Sequence, residues 1–199
     1  MITPRYYISF SAMALFEKSP EQWADIYLRD CYQYTNVNMR YGSLMADALE
    51  KNELSGDPAL DLMIENIPKF ELMDKPIEAN LKNGKDVIIV LAKPDTAKAD
   101  YTAFKEFKTS LKRWTQKMAD DSDQITFYAT TIWLKTGKIP QDIELANVRV
   151  KYTKNGKLIP TGELTIIPTT RTMVDIIKMI ARIRKNWKLI QQFCEKELL

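Results

Sequence analysis

Two carboxylates and one amine lie close together in the central part of the chain. Asp95 is followed, after ten intervening residues, by Glu106-Phe107-Lys108. The aromatic and β-branched residues of Tyr101 to Thr109 predict a strand, so Glu106 and Lys108 would project from one face while Phe107 turns into the core. A pair of carboxylates suits a hard divalent cation such as Mg²⁺. The ammonium beside them can orient a water molecule and neutralise charge that develops on a phosphorus.

The same residues also have a purely structural explanation. Glu106 and Lys108 could form a solvated ion pair on an edge strand, and Asp95 could be a turn residue, because Pro-Asp is a common turn dipeptide. Two facts support the chemical interpretation. Pro94-Asp95 is the only Pro-Asp pair in the sequence, and Glu106-Phe107-Lys108 is the only acid-x-Lys triplet. On these residues alone, both interpretations stay open.

A second pair of polar side chains follows on a predicted helix. The helix is expected from Asp121 to Lys135, with Gly137 as its C-cap residue. Gln124 and Tyr128 are four positions apart and therefore share one face. No other glutamine in the sequence has a tyrosine four residues further on. The structural alternative is a half-buried helix face with a satisfied amide.

Together these motifs resemble the PD-(D/E)XK nuclease superfamily, in its RecB-like and phage lambda exonuclease-like branch. That family combines the spacing of Asp95, Glu106 and Lys108 with a Gln-x-x-x-Tyr signature on the helix after the lysine strand. The N-terminal segment from Tyr7 to Trp23 is also similar to the opening of RecB-type domains. Ser19 stands where many of them have a cysteine, which implies a form without an iron-sulfur cluster.

A predicted helix from Arg40 to Asn52 supplies one more acidic candidate. RecB-like domains carry a glycine, a histidine and then a glutamate at the offsets occupied here by Gly42, Ala46 and Glu50. The histidine is therefore missing, and the match is incomplete. Glu50 would act near the metal, directly or through water, or it would be a solvated glutamate at a helix end.

The resemblance implies a divalent-metal-dependent DNA nuclease that hydrolyses phosphodiester bonds, with exonuclease favoured over endonuclease. The implied ligands of Mg²⁺ or Mn²⁺ are oxygen donors of Glu50, Asp95, Glu106 and the Phe107 carbonyl. Lys108 would position the attacking water, and Gln124 and Tyr128 would contact DNA or brace the site. The implied setting is DNA recombination, repair or phage DNA processing. Partners would be DNA, a strand-annealing protein or helicase, and further copies of the chain in a homo-oligomer.

Basic residues also cluster just after the lysine strand. Lys112 and Arg113 are followed directly by Trp114. Cationic side chains interleaved with an aromatic ring beside an acidic cluster suit a nucleic-acid backbone with a stackable base. The alternative is a solvated loop anchored by one tryptophan.

The expected fold class is α+β, with residues 1–199 as a single nuclease domain. The resemblance implies a restriction-endonuclease-like αβββαβ core, in which helices flank a mixed sheet. Ser11 is predicted to cap one N-terminal helix and Ser19 the next. Phe70 to Leu81 has strand content interrupted at Pro76, which predicts an edge strand or a bulge. Asn83-Gly84 predicts a hairpin that leads into a buried strand.

That buried strand, Asp86 to Ala92, is expected to lie antiparallel and adjacent to the strand of Glu106 and so to bring Asp95 near it. A C-terminal hairpin is predicted from Ile143 to Ile167, with its second strand broken near Pro160. A long amphipathic helix follows, from Thr172 to Glu197. Its expected inward residues are Met173, Ile176, Ile177, Ile180, Ile183, Trp187, Ile190 and Phe193.

Composition excludes several classes of protein. The 199 residues include no histidine, which rules out Ser-His-Asp and Cys-His catalysis and the histidine-based zinc sites. Two cysteines are too few for a disulfide framework or a four-cysteine cluster. No apolar run approaches the length of a membrane span, and we expect a cytoplasmic protein. A net charge of +3 permits a polyanionic partner without requiring one. The alternative to an enzyme is a non-catalytic nucleic-acid-binding or assembly module that retains the nuclease fold.

Overall fold

The computed structural model describes residues 6–29, 43–44, 47–48, 51, 53–57, 60–61 and 65–197. The elements delimited there are β1 (Tyr7–Ser9), α1 (Phe10–Lys18), α2 (Pro20–Tyr27), β2 (Leu72–Met73), β3 (Ile77–Asn83), β4 (Asp86–Ala92), β5 (Thr96–Ala97), β6 (Ala103–Ser110), α3 (Gln116–Asp120), α4 (Asp123–Thr136), β7 (Asp142–Tyr152), β8 (Leu158–Thr169) and α5 (Met173–Glu197). The predicted α+β class is confirmed. Within the described residues, no helix is both long enough and apolar enough to cross a membrane.

The strands form two mixed sheets. One has the order β1-β4-β3, with β1 parallel and β3 antiparallel to β4. The other has the order β2-β5-β6-β7-β8, in which β6 and β7 are parallel and the remaining neighbours are antiparallel. The strand that carries Glu106 and Lys108, β6, is therefore central in the larger sheet.

The strand β4 does not pair with β6, so the predicted route that brings Asp95 to Glu106 is wrong. The two strands belong to different sheets. Asp95 instead precedes the two-residue strand β5, which pairs with β6 through Thr96 opposite Lys105. A strand of two residues carries almost no sequence periodicity, which explains why the pattern did not reveal it.

Local signals at turns and helix ends agree better with the structure. Ser19 caps α2, and its side chain accepts a hydrogen bond from the Gln22 N–H at 3.3 Å. The first helix begins at Phe10 and is capped by Ser9 rather than by Ser11. The turn at Gly84, with φ +66°, joins β3 to β4, and β3 is an edge strand as predicted.

Apolar side chains cover both faces of the larger sheet. The main core joins residues of both sheets to α1, α2, α4 and α5, and its largest fully buried side chains include Phe104 and Phe127. Phe107 and Val148 belong to a second cluster. Phe107 therefore turns into the interior, as expected from its position between Glu106 and Lys108.

The final helix departs from its predicted inward face at its N-terminal end. Ile176, Ile183, Trp187 and Ile190 are buried as expected, and Ile180 and Phe193 pack at the edge of the core. Met173 and Ile177 are 42% and 59% exposed, so their assignment to the core is wrong. The buried residues that the pattern missed are Met179, Asn186 and Cys194.

A buried arginine fixes the junction of α3 and α4. Arg171 is 6% exposed, and burial lowers its pKa. Its guanidinium donates to the carbonyls of Ala119, Ser122 and Thr170 and to the hydroxyls of Thr126 and Thr169, at 2.7–3.1 Å. Because Ser122 caps α4, these bonds hold the first turn of the helix that carries Gln124.

A polar contact ties α5 to α1. Arg182 donates twice to the Glu17 carboxylate, at 2.8 and 2.6 Å, and Asn186 donates to it at 2.7 Å. The hydrogen bond from Arg182 has the largest effect on the pKa of Glu17, and together with the bond from Asn186 it outweighs the opposing effect of burial. The pKa of Glu17 is therefore lowered from its usual value of 4.5. The ionised carboxylate therefore stabilises the folded state, and this contribution disappears as the pH falls through the lowered pKa.

We predict that Glu17→Gln lowers the free energy of unfolding by about 1 kcal/mol at pH 7, after allowance for solvent screening of this partly exposed pair. The difference should shrink steadily as the pH falls below about 4.5. Urea unfolding across this pH range measures it. Glu71→Gln, at an exposed position, is the matched control. An equal loss at every pH would show that the charge of Glu17 is not responsible.

Candidate active site

The strand β6 carries the acid and the amine side by side. The Lys108 Nζ donates a hydrogen bond to Glu106 Oε1 at 2.6 Å. Glu106 is 4% exposed, whereas the Lys108 side chain is 27% exposed. A solvated pair on an edge strand would show neither this burial nor the central position of β6. The pair is therefore largely shielded from solvent, with Glu106 buried and Lys108 only partly exposed.

Asp95 lies against the same pair from the position just before β5, the neighbouring strand. Its Oδ2 accepts a short hydrogen bond from the Phe107 N–H. Burial, followed by repulsion from the Glu106 carboxylate, raises the pKa of Asp95 to about 8. The hydrogen bond from Phe107 and the charge of Lys108 oppose this rise without cancelling it. The two acids are thus held close together although their charges repel each other.

Gln124 on α4 joins the members of the site. Its Oε1 accepts a hydrogen bond from Lys108 Nζ at 2.7 Å, and its Nε2 donates to Glu106 Oε1 at 2.8 Å. The same Nε2 lies 2.8 Å from the Tyr128 hydroxyl, to which it donates. The spacing of four residues places Gln124 and Tyr128 on one helix face, as the sequence indicated. The amide therefore fixes the separation of Lys108 and Glu106.

The surroundings keep both Lys108 and Tyr128 protonated. Burial lowers the pKa of Lys108, but the charge and hydrogen bond of Glu106 and the charge of Asp95 outweigh it, and the net pKa is raised. Burial, followed by the charge of Glu106, raises the pKa of the Tyr128 hydroxyl. The site therefore presents an ammonium and a neutral phenol beside two crowded carboxyl groups.

The donor atoms fit a divalent cation. Glu106 Oε2 is buried and has no hydrogen-bond partner among the described residues, although a buried carboxylate oxygen normally has one. Within residues 65–197 and the shorter described segments, no third acidic, cysteine or histidine side chain completes a metal cluster with Asp95 and Glu106. Two carboxylates are sufficient for Mg²⁺, which is commonly completed by water and substrate phosphate. The predicted ligand Glu50 lies outside the described residues.

The predicted DNA-binding residues beyond the helix occupy different environments. Lys112 and Arg113 are exposed, and Arg113 Nε lies 3.2 Å from a Glu163 carboxylate oxygen. Trp114 is half-buried and packs against the main core, which favours the anchoring role left open above.

Sequence reasoning missed one polar residue that supports this part of the site. Asn147 is 1% exposed, and its Nδ2 donates to the Lys108 carbonyl at 3.2 Å and to Ser110 Oγ at 2.8 Å. Its Oδ1 accepts a hydrogen bond from the Trp114 N–H at 3.4 Å. The sequence did contain a signal for this residue, namely an asparagine at an inward position of a strand whose residues alternate between apolar and polar. A buried amide at such a position must have hydrogen-bond partners.

Comparison with solved structures identifies the fold. The chain is similar to a candidate exonuclease from Eubacterium rectale, with 13% identity, 96% of this chain and 82% of that chain covered, and a TM-score of 0.61. It is also similar to the exonuclease LHK-Exo from Laribacter hongkongensis in complex with dAMP, with 13% identity, coverage of 97% and 92%, and a TM-score of 0.53. The chain shares the fold of these proteins.

This agreement confirms, for the fold, the resemblance to PD-(D/E)XK nucleases. No family model and no curated protein matches the chain in sequence. At 13% identity the agreement concerns the path of the backbone. The arrangement of Asp95, Glu106, Lys108, Gln124 and Tyr128 is a separate observation, made on the side chains of this chain.

Proposed function

We propose that this protein is a divalent-metal-dependent deoxyribonuclease that hydrolyses phosphodiester bonds. The observation that carries the proposal is the convergence of Asp95, just before β5, with Glu106 and Lys108 on β6. Glu106 Oε2 is also buried and unpaired among the described residues. The likeness of the fold to two proteins described as exonucleases supports it independently. The same likeness favours an exonuclease over an endonuclease.

Asp95 and Glu106, with the Phe107 carbonyl, would hold Mg²⁺ or Mn²⁺. The bound cation would supply Lewis acidity toward the phosphate and make a coordinated water more acidic. The chain itself provides the orientation, because the N–H of Phe107 fixes one carboxylate and Gln124 fixes the other. Glu50 remains a proposed further ligand.

Lys108 would orient the attacking water and stabilise negative charge on the phosphorane-like transition state. Its hydrogen bonds to Glu106 and Gln124 hold the ammonium in place before substrate arrives. Gln124 acts as a brace between acid and amine, and the hydroxyl of Tyr128 supports the amide. This preorganisation avoids reorientation of the charged groups during the reaction.

Lys112 and Arg113 would contact the DNA backbone, and Trp114 would support that segment from the core. We place the activity in DNA recombination, repair or phage DNA processing, alongside a strand-annealing protein or helicase, and with a homo-oligomeric assembly. This part of the proposal follows from the family resemblance and from the DNA substrate.

Digestion of DNA tests the proposal directly. End-labelled linear duplex and covalently closed circular DNA are incubated with the protein and Mn²⁺, Mg²⁺ or EDTA. We expect degradation of the linear DNA with either cation, none in EDTA, and survival of the closed circle. Cleavage of the circle would replace the exonuclease assignment by an endonuclease. Binding of DNA without cleavage under every condition would contradict the nuclease and favour a non-catalytic binding module.

A further inference from the structure

The hairpin of β7 and β8 contains an irregularity opposite Arg149. Regular pairing is interrupted there, so that residues 161–163 of β8 lie opposite this one residue of β7. Gly162 has φ +83°, in the left-handed region that glycine adopts without strain. Thr161 Oγ1 donates to the Arg149 carbonyl at 3.1 Å and accepts from the Glu163 N–H at 3.3 Å. A bulge of this kind redirects a side chain, and here it places the Glu163 carboxylate against Arg149.

Glu163 holds two arginines at once. Its Oε2 accepts a hydrogen bond from Arg149 Nη1 at 2.8 Å, and its Oε1 lies 3.2 Å from Arg113 Nε. The hydrogen bond from Arg149 contributes most to lowering the pKa of Glu163, so the carboxylate is ionised at neutral pH. Two cations around one anion leave a net charge of +1. We call Arg113, Glu163 and Arg149 the arginine clamp.

The clamp remains open to a ligand. The side chains of Arg113 and Arg149 are 67% and 44% exposed. Each guanidinium has five N–H donors, and Glu163 engages one nitrogen of each. A planar guanidinium with free N–H groups can donate two parallel hydrogen bonds to the oxygen atoms of one phosphate. A flexible lysine ammonium lacks this fixed, fork-like geometry.

The clamp lies on the same face of the sheet as the proposed catalytic residues. In the parallel pair of β6 and β7, Lys108 is in register with Asn147, and Ser110 with Arg149. Paired residues of neighbouring strands project to the same side, and so do residues two apart on one strand. Arg149 therefore continues the row that begins at Glu106 and passes through Lys108.

The distance along this row matches a short length of DNA. Two residues of a strand span about 6.6 Å, which separates the register of Lys108 from that of Arg149. A strand of duplex DNA advances by about 3.4 Å per nucleotide along its axis and also turns around that axis, so successive phosphates of one strand lie roughly 6–7 Å apart. A backbone that runs along β6 from Lys108 would therefore bring the phosphate next to the reacting one to the clamp.

We propose that Arg113 and Arg149, oriented by Glu163, bind the phosphate of the DNA that is next to the hydrolysed one. This inference rests on the proposed nuclease function and adds to it a defined backbone subsite. The subsite fixes the register of the DNA strand relative to Lys108. It uses the phosphate alone, so it binds every sequence equally.

The test determines which phosphate of the DNA each arginine contacts. Short DNA duplexes each carry one uncharged methylphosphonate, moved one position at a time, and their dissociation constants are measured with Mg²⁺ in a Lys108→Gln background that prevents turnover. We expect neutralisation of the clamp phosphate to weaken binding by about tenfold, the value of one charge-assisted contact. In Arg149→Gln and in Arg113→Gln, this one position should lose its penalty while other positions keep theirs.

Matched variants make the test specific. Arg149→Lys should restore only part of the affinity, because it keeps the charge and loses the fork. Arg184→Gln, an exposed arginine that donates to the Lys82 carbonyl in the other sheet, should leave the whole profile unchanged. The slope of log affinity against log salt concentration should become shallower by about one in Arg149→Gln. Thermal unfolding of each variant verifies that the fold is retained.

The outcomes separate this subsite from the nuclease assignment. A profile of penalties that is identical with and without Arg149 and Arg113 would overturn the clamp, whatever the activity. If the arginine variants lose the binding penalty at a single phosphate but the protein cleaves no DNA, the clamp is supported and the proposed nuclease activity is refuted. In an active protein, a coupled phosphate several nucleotides from the cleaved bond would refute the register proposed here.

Discussion

Replacement of Lys108 by glutamine should reduce DNA hydrolysis by about a thousandfold. The Lys108 ammonium is the cationic side chain that contacts Glu106 and Gln124 at the site. Glutamine keeps a hydrogen-bond donor, on a side chain one atom shorter, and removes the positive charge. The lost electrostatic stabilisation should therefore appear in the chemical step and not in the fold. Single-turnover cleavage of labelled duplex with saturating protein measures the step directly.

The control for this variant separates catalysis from binding and general charge effects. Lys85→Gln removes one exposed positive charge in the turn between β3 and β4, which belong to the other sheet, and should cleave at the unmodified rate. The DNA affinity of Lys108→Gln should fall far less than its rate. If Lys108→Gln cleaves within about tenfold of the unmodified chain, the proposed role of the amine is wrong.

The parts of the site that sequence could predict are those set by local periodicity. Glu106 and Lys108 are two residues apart on a strand, and Gln124 and Tyr128 are four apart on a helix. In each case the spacing alone places two side chains on one face. The helix ends at Ser19 and Gly137 were predicted for the same reason, because a cap depends on a few adjacent residues.

Long-range pairing could not be read in this way. The path of Asp95 depends on β5, which has two residues, and β4 proved to belong to the other sheet. The position of Asn147 beside Lys108 depends on parallel pairing of two strands that are separated in sequence by α3 and α4. Pro160 predicted a break in the strand, but β8 runs unbroken from Leu158 to Thr169. Only its register with β7 shows the irregularity that directs Glu163 toward Arg149.

The same limit explains the exposed end of α5. A helical pattern gives the direction of an apolar stripe, but the length of that stripe in contact with the core depends on where the neighbouring elements end. Met173 and Ile177 precede the part of α5 that Arg182 joins to Glu17 in α1 and to Asp123 in α4. Their apolar side chains therefore fit the period of the buried stripe while they remain exposed.

A divalent cation should stabilise the unmodified chain and should not stabilise Asp95→Asn. Glu106 Oε2 is buried without a partner among the described residues, and the neighbouring Asp95 carboxyl is repelled by the same group. A cation that binds only the folded state at about 100 times its dissociation constant adds about 2.7 kcal/mol. For a protein of this size we expect the Tm to rise by about 5–10 °C. Thermal unfolding in EDTA and in millimolar Mg²⁺ or Mn²⁺ measures the shift.

The order of stability should reverse when the cation is removed. The pKa of Asp95 rises from 3.8 to about 8 in the metal-free fold, so the folded state binds this proton more tightly than the unfolded state. Stability in EDTA must then fall as the pH rises between these two values. Asp95→Asn removes the repulsion and should be the more stable protein at pH 8 in EDTA, and the less stable one with Mg²⁺. Asp86→Asn, at an exposed position, should follow the unmodified chain in both solutions. Equal stabilisation of Asp95→Asn by the cation would mean that these carboxylates do not form its site.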